Sequence, residues 1–317
     1  MPELPEVHTT ATILHKLVTG LKIKSVWTDY GGPYHIGKDN IKDEKFFKKF
    51  SKEIKGAKIK SVGRRGKNVL INTEKGKKKY TILIHMKMTG HVLYGTYKKV
   101  KVKSEKVEKK LKFKWKAIKP EALKDPFNQF IHFVISLSND KHIALSDMRK
   151  FAKVTFFETE KQENSPHLLG IGPEPISPSF SFEIFKERIM RRPKGRIKQV
   201  LMDPLIVAGI GNIYSDEILW ASSIHPEEKP KNISSEHMGQ MYENTKFLLK
   251  KGINFGGDSM SDYRNPYGLP GEFQLHHQAY RNTGKTCFKK GCKGTIVRKV
   301  VGGRSAHFCD THQRLRK

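Results

Sequence analysis

Cysteine is scarce in this 317-residue chain and is confined to one end of it. All three cysteines, Cys287, Cys292 and Cys309, lie after position 286. So few thiols in so short a segment argue against a disulfide framework across the chain. They favour a local metal site instead.

Long apolar runs are also missing. No stretch approaches the roughly 20 apolar residues that a membrane-spanning helix needs. The first ten residues, MPELPEVHTT, place acids and two prolines where a secretory signal would have an apolar run. We therefore expect a soluble cytoplasmic protein, associated with the nucleoid if the source is bacterial.

Acidic residues are in short supply. The chain has 31 Asp and Glu against 61 Lys and Arg, a net charge of +30. Such an excess opposes a compact fold by self-repulsion, and a polyanion relieves it. Nucleic acid is the expected partner because each neutralised phosphate releases counterions. A merely lysine-rich, solvated surface is the competing interpretation, since many of the lysines are scattered.

The hydrophobic pattern changes along the chain. Apolar residues at helical spacing predict a helix over 7–19. Short β-branched and aromatic runs then predict a β-sandwich or barrel of roughly 150 residues, with strands at 58–62, 68–72, 80–85, 132–137, 142–147 and 153–158. The lysine-dominated stretch 97–119 interrupts this pattern. We interpret it as an exposed insertion that is solvated or, less favoured, contacts phosphate.

Helical spacing returns after the prolines at 173 and 175. It predicts helices at 181–191, 195–202, 212–222 and 234–251, the last with a methionine stripe that we interpret as core packing. The long loop 254–275 is expected to be functional. The predicted fold is thus α+β and multidomain: an N-terminal β-sandwich with a leading helix (1–160), a helical domain (161–275) and a terminal β-hairpin (276–317).

The hairpin carries a metal-ligand pattern. Cys287-x4-Cys292 is followed by Cys309-x2-His312, and two closed pairs of soft ligands are typical of structural Zn²⁺. His307 is an alternative fourth ligand because the first spacing is wider than usual. Gly302-Gly303 predicts the hairpin turn. Arg304, just after it, is placed to contact a phosphate, although most such arginines are solvated.

The N-terminus offers a nucleophile. If the initiator methionine is removed, Pro2 presents a secondary amine with a pKa of roughly 8, so a substantial fraction is unprotonated near neutral pH. Such an amine can attack an electrophilic sugar carbon and form an iminium intermediate. The adjacent Glu3 is suited to move protons.

Several motifs then occur together in one order: PELPEV, GRRGKN, HMKMTG, DMRKF, GPEP and AGIGNIYSDEIL, followed by the metal hairpin. In this combination the sequence resembles the formamidopyrimidine-DNA glycosylases, the Fpg side of the Fpg/Nei family, over nearly the whole chain. The resemblance implies that the helical part is a helix–two-turn–helix domain. It also implies that loop 254–275 caps the lesion.

The resemblance implies catalytic roles for three residues. Pro2 would attack C1′ of the damaged nucleotide, Glu3 would act as general acid and base, and Lys67 would contact the phosphate beside the lesion. It further implies that Met88, Arg149 and Phe151 fill the space left when the base is flipped out of the helix.

The remaining implied contacts are to phosphates. They are Lys198 and Asn212 of the helix–two-turn–helix element, and Arg304 of the zinc hairpin. Each residue also has a structural interpretation: Met88 and Phe151 as strand core, Asn212 as a helix N-cap, and Lys67 and Lys198 as two lysines among many. Glu6 resembles a family glutamate near the base pocket, or favours the helix dipole at its first turn.

Departures from the family pattern fall at the lesion side and at the metal. His8 stands where the family often has Glu, DMRKFA replaces DPRRFG, and His312 replaces a cysteine ligand. We expect these changes to leave the reaction intact and to affect the preferred base opposite the lesion.

The sequence thus predicts a monomeric, zinc-containing, bifunctional glycosylase and AP lyase that excises 8-oxoguanine and formamidopyrimidines from double-stranded DNA. Two alternatives stay open at this point. One is an endonuclease VIII-like enzyme for oxidised pyrimidines, and the other is a non-catalytic zinc protein that binds damaged DNA. A ribosome- or RNA-associated zinc protein would explain the charge but not the PELPE and GIGNIY motifs.

Overall fold

A computed structural model of the chain describes residues 1–102, 112–162 and 164–315. The fold divides into two compact units. Unit 1 comprises Met1–Pro2, Glu6–Leu168 and Asp258–Gly271. Unit 2 comprises Glu3–Pro5, Leu169–Gly257 and Glu272–Lys317. Each unit therefore includes chain segments that are far apart in sequence.

The first part of the chain is mostly β-structure. Helix α1 runs over Leu4–Val18 and α2 over Glu44–Ile54. The strands are β1 Ile23–Thr28, β2 Lys58–Arg65, β3 Asn68–Lys75, β4 Lys78–His85, β5 His91–Val102, β6 Lys112–Lys119, β7 Ile131–Leu137, β8 His142–Ser146 and β9 Lys153–Glu158. Short 3-10 turns lie at Pro33–His35, Glu121–Lys124, Pro126–Asn128 and Thr159–Lys161.

These strands form two antiparallel sheets. One has the order β1-β7-β8-β5-β6 and the other β2-β3-β4-β9. Alternate residues of both sheets, together with one face of α1, bury a common apolar core that includes Leu14, Ile71 and Phe133. The predicted β-sandwich with a leading helix is confirmed.

Three strands and one helix of the sandwich were missing from the sequence prediction. They are β1, β5, β6 and α2. Helix α2 had a usable signal, because Asp43 caps it by accepting from the Phe46 amide, and Phe50 and Ile54 are buried four residues apart.

The stretch 97–119, predicted as an exposed insertion, is largely exposed at its described ends, but those ends are regular strands. Residues 97–102 continue β5, and Lys112–Lys119 form β6, which pairs with β5. Residues 103–111 of that stretch lie outside the described residues.

The second part of the chain is mostly helical. It contains α3 Phe182–Met190, α4 Ile197–Met202, α5 Asn212–Ala221 and α6 Ser235–Asn254, with 3-10 turns at Pro230–Asn232 and Phe273–His276. The four predicted helices are therefore present, with ends shifted by up to three residues. Met238 and Met241 are buried in the apolar core of this unit, as the core interpretation of the methionine stripe predicted.

Strands β10 Ile296–Val301 and β11 Arg304–Cys309 form the expected terminal hairpin with a two-residue turn at Gly302-Gly303. Both turn glycines have positive φ, 57° and 76°, which glycine adopts without a Cβ penalty. Among the described residues, no helix combines the length and the apolar character that crossing a membrane requires.

Candidate active site

The carboxylate of Glu3 is buried and fixed by backbone amides. Its Oε2 accepts from the amide of Gly211 at 2.6 Å and its Oε1 from that of Ile213 at 2.8 Å. A longer contact of 3.4 Å comes from the amide of Tyr214. These are orphan N–H groups at the start of α5, where the helix dipole also favours a negative charge. Glu3 therefore supplies the N-terminal cap of α5 from 208 residues away.

Gly211 makes this approach possible. A Cβ at this position would overlap the Glu3 side chain at Cδ, closer than atoms tolerate. The N-cap position of α5 is Gly211, which has no side chain to cap with, and Asn212 is the first helical residue. The N-cap interpretation of Asn212 is therefore wrong, because Glu3 performs that function.

Pro2 is buried, whereas Met1 is 40% exposed. Pro2 belongs to unit 1 and its neighbour Glu3 to unit 2. The two residues share a peptide bond, so Pro2 directly precedes the residue whose carboxylate is clamped.

Met88, Arg149 and Phe151 lie on two turns of unit 1. Met88 occupies the turn between β4 and β5, and the other two occupy the turn between β8 and β9. Met88 is 38% and Phe151 48% exposed, so the interpretation of these two as core residues is wrong. The guanidinium of Arg149 stacks over the Phe151 ring at 4.5 Å. The structure thus presents all three side chains at the surface.

Asp147 joins these two turns, and sequence reasoning missed it. The carboxylate is fully buried and accepts from the Thr89 hydroxyl at 2.6 Å and from the Ala152 amide at 2.7 Å. The Tyr30 hydroxyl donates to it as well, at 3.1 Å. The Arg149 amide in turn donates to the Thr89 hydroxyl at 3.1 Å. The DMRKF motif contained this aspartate, but only the fold shows its partners.

Burial and the neighbouring Asp147 raise the pKa of Tyr30, so its hydroxyl stays protonated and acts as the donor. A buried carboxylate with three donors holds its surroundings in one arrangement, because any rearrangement would leave a buried charge unsatisfied. Asp147 therefore sets the relative position of the turns that carry Met88 and Arg149.

Lysines surround the same turns. Lys67 lies half-buried on the β2–β3 turn. Burial lowers the pKa of His85 to about 3, and the charges of Lys87 and Lys67 add to this effect. Burial also lowers the pKa of Lys42, and the charges of Lys87 and Lys150 add to this effect. Such mutual repulsion is relieved when an anion binds, so this surface suits a phosphate backbone.

Lys198 is fully buried in unit 2. Its ammonium donates to Asp216 Oδ1 at 2.5 Å, to the Ser215 hydroxyl at 3.2 Å and to the Asn212 carbonyl at 3.4 Å. The second oxygen of Asp216 accepts from the amide of His307 at 3.0 Å and lies 2.9 Å from its Nδ1. Lys198 is therefore an interior residue beneath the first turn of α5.

Asn212 is half-buried at the start of α5. Its side-chain oxygen is buried and has no hydrogen-bond partner in the described part of the chain. Burial raises the pKa of Tyr280, and Arg281 and a hydrogen bond with Asn212 oppose this effect. Asn212 is thus held beside the Glu3 clamp, at a helix start suited to anions.

Cys287, Cys292, Cys309 and His312 form one cluster, with all four ligand atoms within 4.8 Å of one another. Sγ of Cys292 lies 3.6 Å from Sγ of Cys309 and 3.6 Å from Nδ1 of His312. Sγ of Cys287 lies 3.5 Å from the same nitrogen. Bonds of about 2.3 Å to sulfur and about 2.0 Å to nitrogen at tetrahedral angles place ligand atoms about 3.5–3.8 Å apart. The cluster therefore fits a tetrahedral metal ion.

The same geometry decides between the two histidines. Nε2 of His312 lies 3.2 Å from the carbonyl oxygen of Trp220, an arrangement that orients Nδ1 toward the cluster. His307 is bound to Asp216 instead and does not belong to the cluster. Arg304 is exposed at the tip of the hairpin and forms no ion pair within the described residues.

Glu6 holds the start of the segment Asp258–Gly271. Its buried carboxylate accepts from the Asp258 amide at 2.8 Å, and its backbone carbonyl accepts from the Tyr263 hydroxyl at 2.9 Å. Further along, the Tyr94 amide donates to the Pro266 carbonyl at 2.8 Å. The predicted functional loop 254–275 therefore includes a segment that belongs to unit 1 and is hydrogen-bonded to its elements α1 and β5.

Comparison with known proteins agrees with this geometry. Residues 1–154 match the formamidopyrimidine-DNA glycosylase N-terminal domain, and residues 171–264 match the formamidopyrimidine-DNA glycosylase H2TH domain. A formamidopyrimidine-DNA glycosylase of Pelotomaculum thermopropionicum is 32% identical over 316 residues, which is 100% of both chains. That of Bacillus subtilis is 30% identical over 98% of each chain.

Solved structures give the same result. The Lactococcus lactis Fpg in complex with DNA containing an abasic site has a TM-score of 0.78 and 27% identity, covering 98% of this chain and 99% of that one. The same relative with DNA containing Fapy-dG has a TM-score of 0.77.

Fold and site together define a DNA glycosylase of base excision repair with a helix–two-turn–helix domain. Within that class, the chain belongs to the formamidopyrimidine-DNA glycosylase family.

Proposed function

We propose that this protein excises oxidised purines, 8-oxoguanine and formamidopyrimidines, from duplex DNA and cuts the strand at the same site. The observation that carries the proposal is the buried carboxylate of Glu3, the residue that follows Pro2 in the chain. Backbone amides at the start of α5 hold this carboxylate in place. A binding module has no use for an N-terminal secondary amine that is followed in the chain by a clamped carboxyl group.

The proposed reaction begins with the Pro2 amine. Its nitrogen bonds to C1′ as the glycosidic bond breaks and the base leaves. The Glu3 carboxylate takes the proton that the Pro2 nitrogen loses after the attack and delivers it to O4′, so that the sugar ring opens and an iminium forms. The iminium acidifies the C2′ proton, whose removal expels the 3′-phosphate, and loss of the C4′ proton then expels the 5′-phosphate. A one-nucleotide gap with phosphate ends results.

DNA contacts follow from the placement of the other residues. We infer that Met88, Arg149 and Phe151 fill the space left by the flipped base, which recovers part of the stacking energy. Lys67, Asn212 and Arg304 are proposed to contact phosphates. Lys198, which is buried and paired with Asp216, is proposed to position Asn212 from beneath by donating to its carbonyl oxygen.

The metal cluster is proposed to hold one zinc ion. Zinc supplies structural cross-linking there, because all four positions are protein ligands. Metal analysis of the purified protein is expected to give one zinc per chain. The hairpin is then expected to place Arg304 against DNA.

The division at residues 160 and 275, a monomeric state and a cytoplasmic location remain predictions. Light scattering of the purified protein tests the monomer.

The decisive experiment is borohydride trapping. Protein lacking Met1 is incubated with a duplex that carries 8-oxoguanine opposite cytosine. We expect a covalent adduct that disappears in Pro2→Gly with an added blocking methionine and persists in the matched control Pro5→Ala.

The other outcomes are equally informative. An adduct only with an abasic site keeps the lyase chemistry and moves the substrate to other damaged bases. Faster cutting of 5-hydroxyuracil or thymine glycol duplexes would support the endonuclease VIII-like alternative. No adduct with any substrate would leave a zinc-containing protein that binds damaged DNA.

A further inference from the structure

Strand β6 and the part of β5 that pairs with it form a two-stranded segment with a single sign of charge. We name residues 96–102 and 112–119 the lysine ribbon. It contains seven lysines and no acidic residue. The register places Lys98 directly opposite Lys116, and Lys114 opposite Val100, so three lysines share one face.

Within the described residues, no carboxylate neutralises the exposed lysines of the lysine ribbon. Lys98, Lys99, Lys101, Lys114, Lys116 and Lys119 are exposed, and none forms an ion pair with a carboxylate in the described part of the chain. Like charges placed directly opposite each other destabilise a sheet. A solvated face gains nothing from this arrangement, whereas a bound polyanion removes its cost.

The ribbon is also held in place. The Trp115 ring lies edge-on to Trp27 at 6.2 Å and 4.9 Å from the His142 ring. Both Trp27 and Trp115 pack on a buried cluster that includes Leu93 and Val134, on the face of the five-stranded sheet away from the main core. The lysines are therefore presented at fixed spacing, about 7 Å along a strand and about 5 Å between strands.

A cavity of about 390 Å³ lies at the base of the ribbon. Lys114, Lys116 and Lys124 line it together with Trp115, Leu123 and Ile131. The indole N–H of Trp115 is buried and has no hydrogen-bond partner in the described part of the chain. The cationic surface is thus concave there, and a buried donor beside it is left unsatisfied.

We propose that the lysine ribbon binds the phosphate backbone of duplex DNA away from the lesion. DNA as the partner follows from the family and the charge, so the proposal does not depend on the Pro2 reaction. Strand β5 runs from His91, three residues after Met88, to the ribbon, with a register shift between Thr96 and Tyr97. Lys98 lies seven residues along the strand from His91, or about 24 Å. That length corresponds to about seven base pairs of duplex.

The test compares two triple variants with the same loss of charge. The ribbon variant is Lys98→Ala, Lys114→Ala and Lys116→Ala. The control is Lys48→Ala, Lys78→Ala and Lys161→Ala, three exposed lysines of unit 1 that are each paired with a glutamate. Affinity for a duplex with a tetrahydrofuran abasic analogue is measured by fluorescence anisotropy between about 50 and 200 mM salt.

We expect the ribbon variant to bind a long duplex about ten- to a hundred-fold more weakly at the lower salt. The salt slope should fall by about 2 to 3, near 0.9 for each phosphate that is no longer neutralised. The control should change the slope by less than about 0.5. Replacing the same three residues by arginine should restore both quantities.

Duplex length supplies the second measurement. When the arm on one side of the lesion is cut to about four base pairs, the ribbon and control variants should bind equally. Equal slopes for the two variants on a duplex with two long arms would overturn the proposal. A deficit that appears only with RNA would overturn it as well.

Folding and chemistry are monitored separately. The temperature of thermal unfolding should not fall, because all three side chains are exposed and their mutual repulsion is removed. If it does fall, the double variant Lys98→Gln with Lys116→Gln replaces the triple alanine variant. Borohydride trapping at saturating enzyme should proceed at the wild-type rate. Loss of trapping in wild-type protein would reject the proposed reaction and leave the ribbon result standing.

Discussion

At the scale of single residues, Glu3 and Gly211 occupy adjoining space. The carboxylate binds amides at the start of α5 only because position 211 has no side chain. The function of this glycine is therefore to admit Glu3, and backbone conformation does not require it, since its φ is −131°.

We predict that Gly211→Ala displaces the Glu3 carboxylate, because the new Cβ would overlap its Cδ. Base excision should fall at least a hundred-fold, and unit 2 should lose about 1–3 kcal/mol of stability. Gly239→Ala is the matched control, since nothing lies within 4 Å of its Cβ on α6. It should stabilise the helix by about 0.5–1 kcal/mol. Single-turnover kinetics measures the excision rate of each variant, and denaturant titration measures its stability. Excision by Gly211→Ala at the wild-type rate would show that the clamp on Glu3 is not needed for the reaction.

Asp147 is the second residue whose role depends on its partners. Asp147→Asn replaces one acceptor oxygen with a donor, so either the Thr89 hydroxyl or both the Ala152 amide and the Tyr30 hydroxyl lose their acceptor. We predict a loss of about 1–3 kcal/mol of stability. Excision should slow at least ten-fold with little change in overall DNA affinity, because phosphate contacts remain.

The control for Asp147→Asn is Asp140→Asn, an exposed aspartate paired with Lys24. Base flipping is followed by 2-aminopurine fluorescence opposite the lesion. If Asp147→Asn flips and excises at the wild-type rate, the two turns are not positioned by this carboxylate.

At the scale of elements, α4 and α5 are joined by the buried ion pair of Lys198 and Asp216. We predict that Lys198→Met costs about 3–5 kcal/mol of unit 2 stability, because it leaves a buried carboxylate without its cation. Adding Asp216→Asn should recover most of this loss, since the amide oxygen still accepts from His307. Denaturant unfolding followed by tryptophan fluorescence makes the measurement. A stable Lys198→Met protein with weak DNA binding would instead support direct phosphate contact.

Strand β5 begins at His91, which is buried and 2.9 Å from the Asn128 side-chain oxygen. Asn128 donates its amide protons to the carbonyls of Ala122 and Gly268, so His91 Nε2 carries the proton of this bond. Burial lowers the pKa of His91 to about 4. The unfolded chain, with a histidine pKa near 6.5, therefore binds more protons between these values.

The contribution of His91 to the free energy of unfolding should consequently be fully present above about pH 6.5 and be lost as the pH drops toward 4. For His91 alone the loss between pH 7 and pH 4.5 is about 2–3 kcal/mol. We predict that His91→Gln, which keeps a donor to Asn128, removes that part of the pH dependence. Denaturant unfolding at both pH values tests this. An unchanged difference between pH 7 and pH 4.5 in the variant would contradict it.

At the scale of the whole molecule, the net charge of +30 is the dominant property. The exposed lysines lie on the ribbon, around the two turns of unit 1 and elsewhere, so many phosphates can be neutralised at once. We predict that the logarithm of the DNA association constant falls with the logarithm of salt concentration with a slope of about −5 or steeper. Arg304→Ala should reduce that slope by about 1. A slope shallower than about −2 would show that the charge serves another purpose.

Features that depend on near neighbours in the chain were predictable without the structure. The helical and strand periods predicted the sandwich and the four later helices, and the spacing of three cysteines with His312 predicted the metal cluster. The ordered motifs predicted the family. Residues three or four apart in a helix, and residues two apart in a strand, lie on the same face whatever surrounds the element. Such patterns therefore indicate local structure directly.

The contacts between groups that are distant in the chain became visible in the folded protein alone. It placed Glu3 on the amides of α5, Asp147 on Thr89 and Tyr30, and Lys198 in the interior with Asp216. It also paired β6 with β5, where the lysine content had suggested an insertion. These contacts depend on how whole elements pack, because burying a charge is tolerated only where the fold brings its partners to it. No local pattern carries that information.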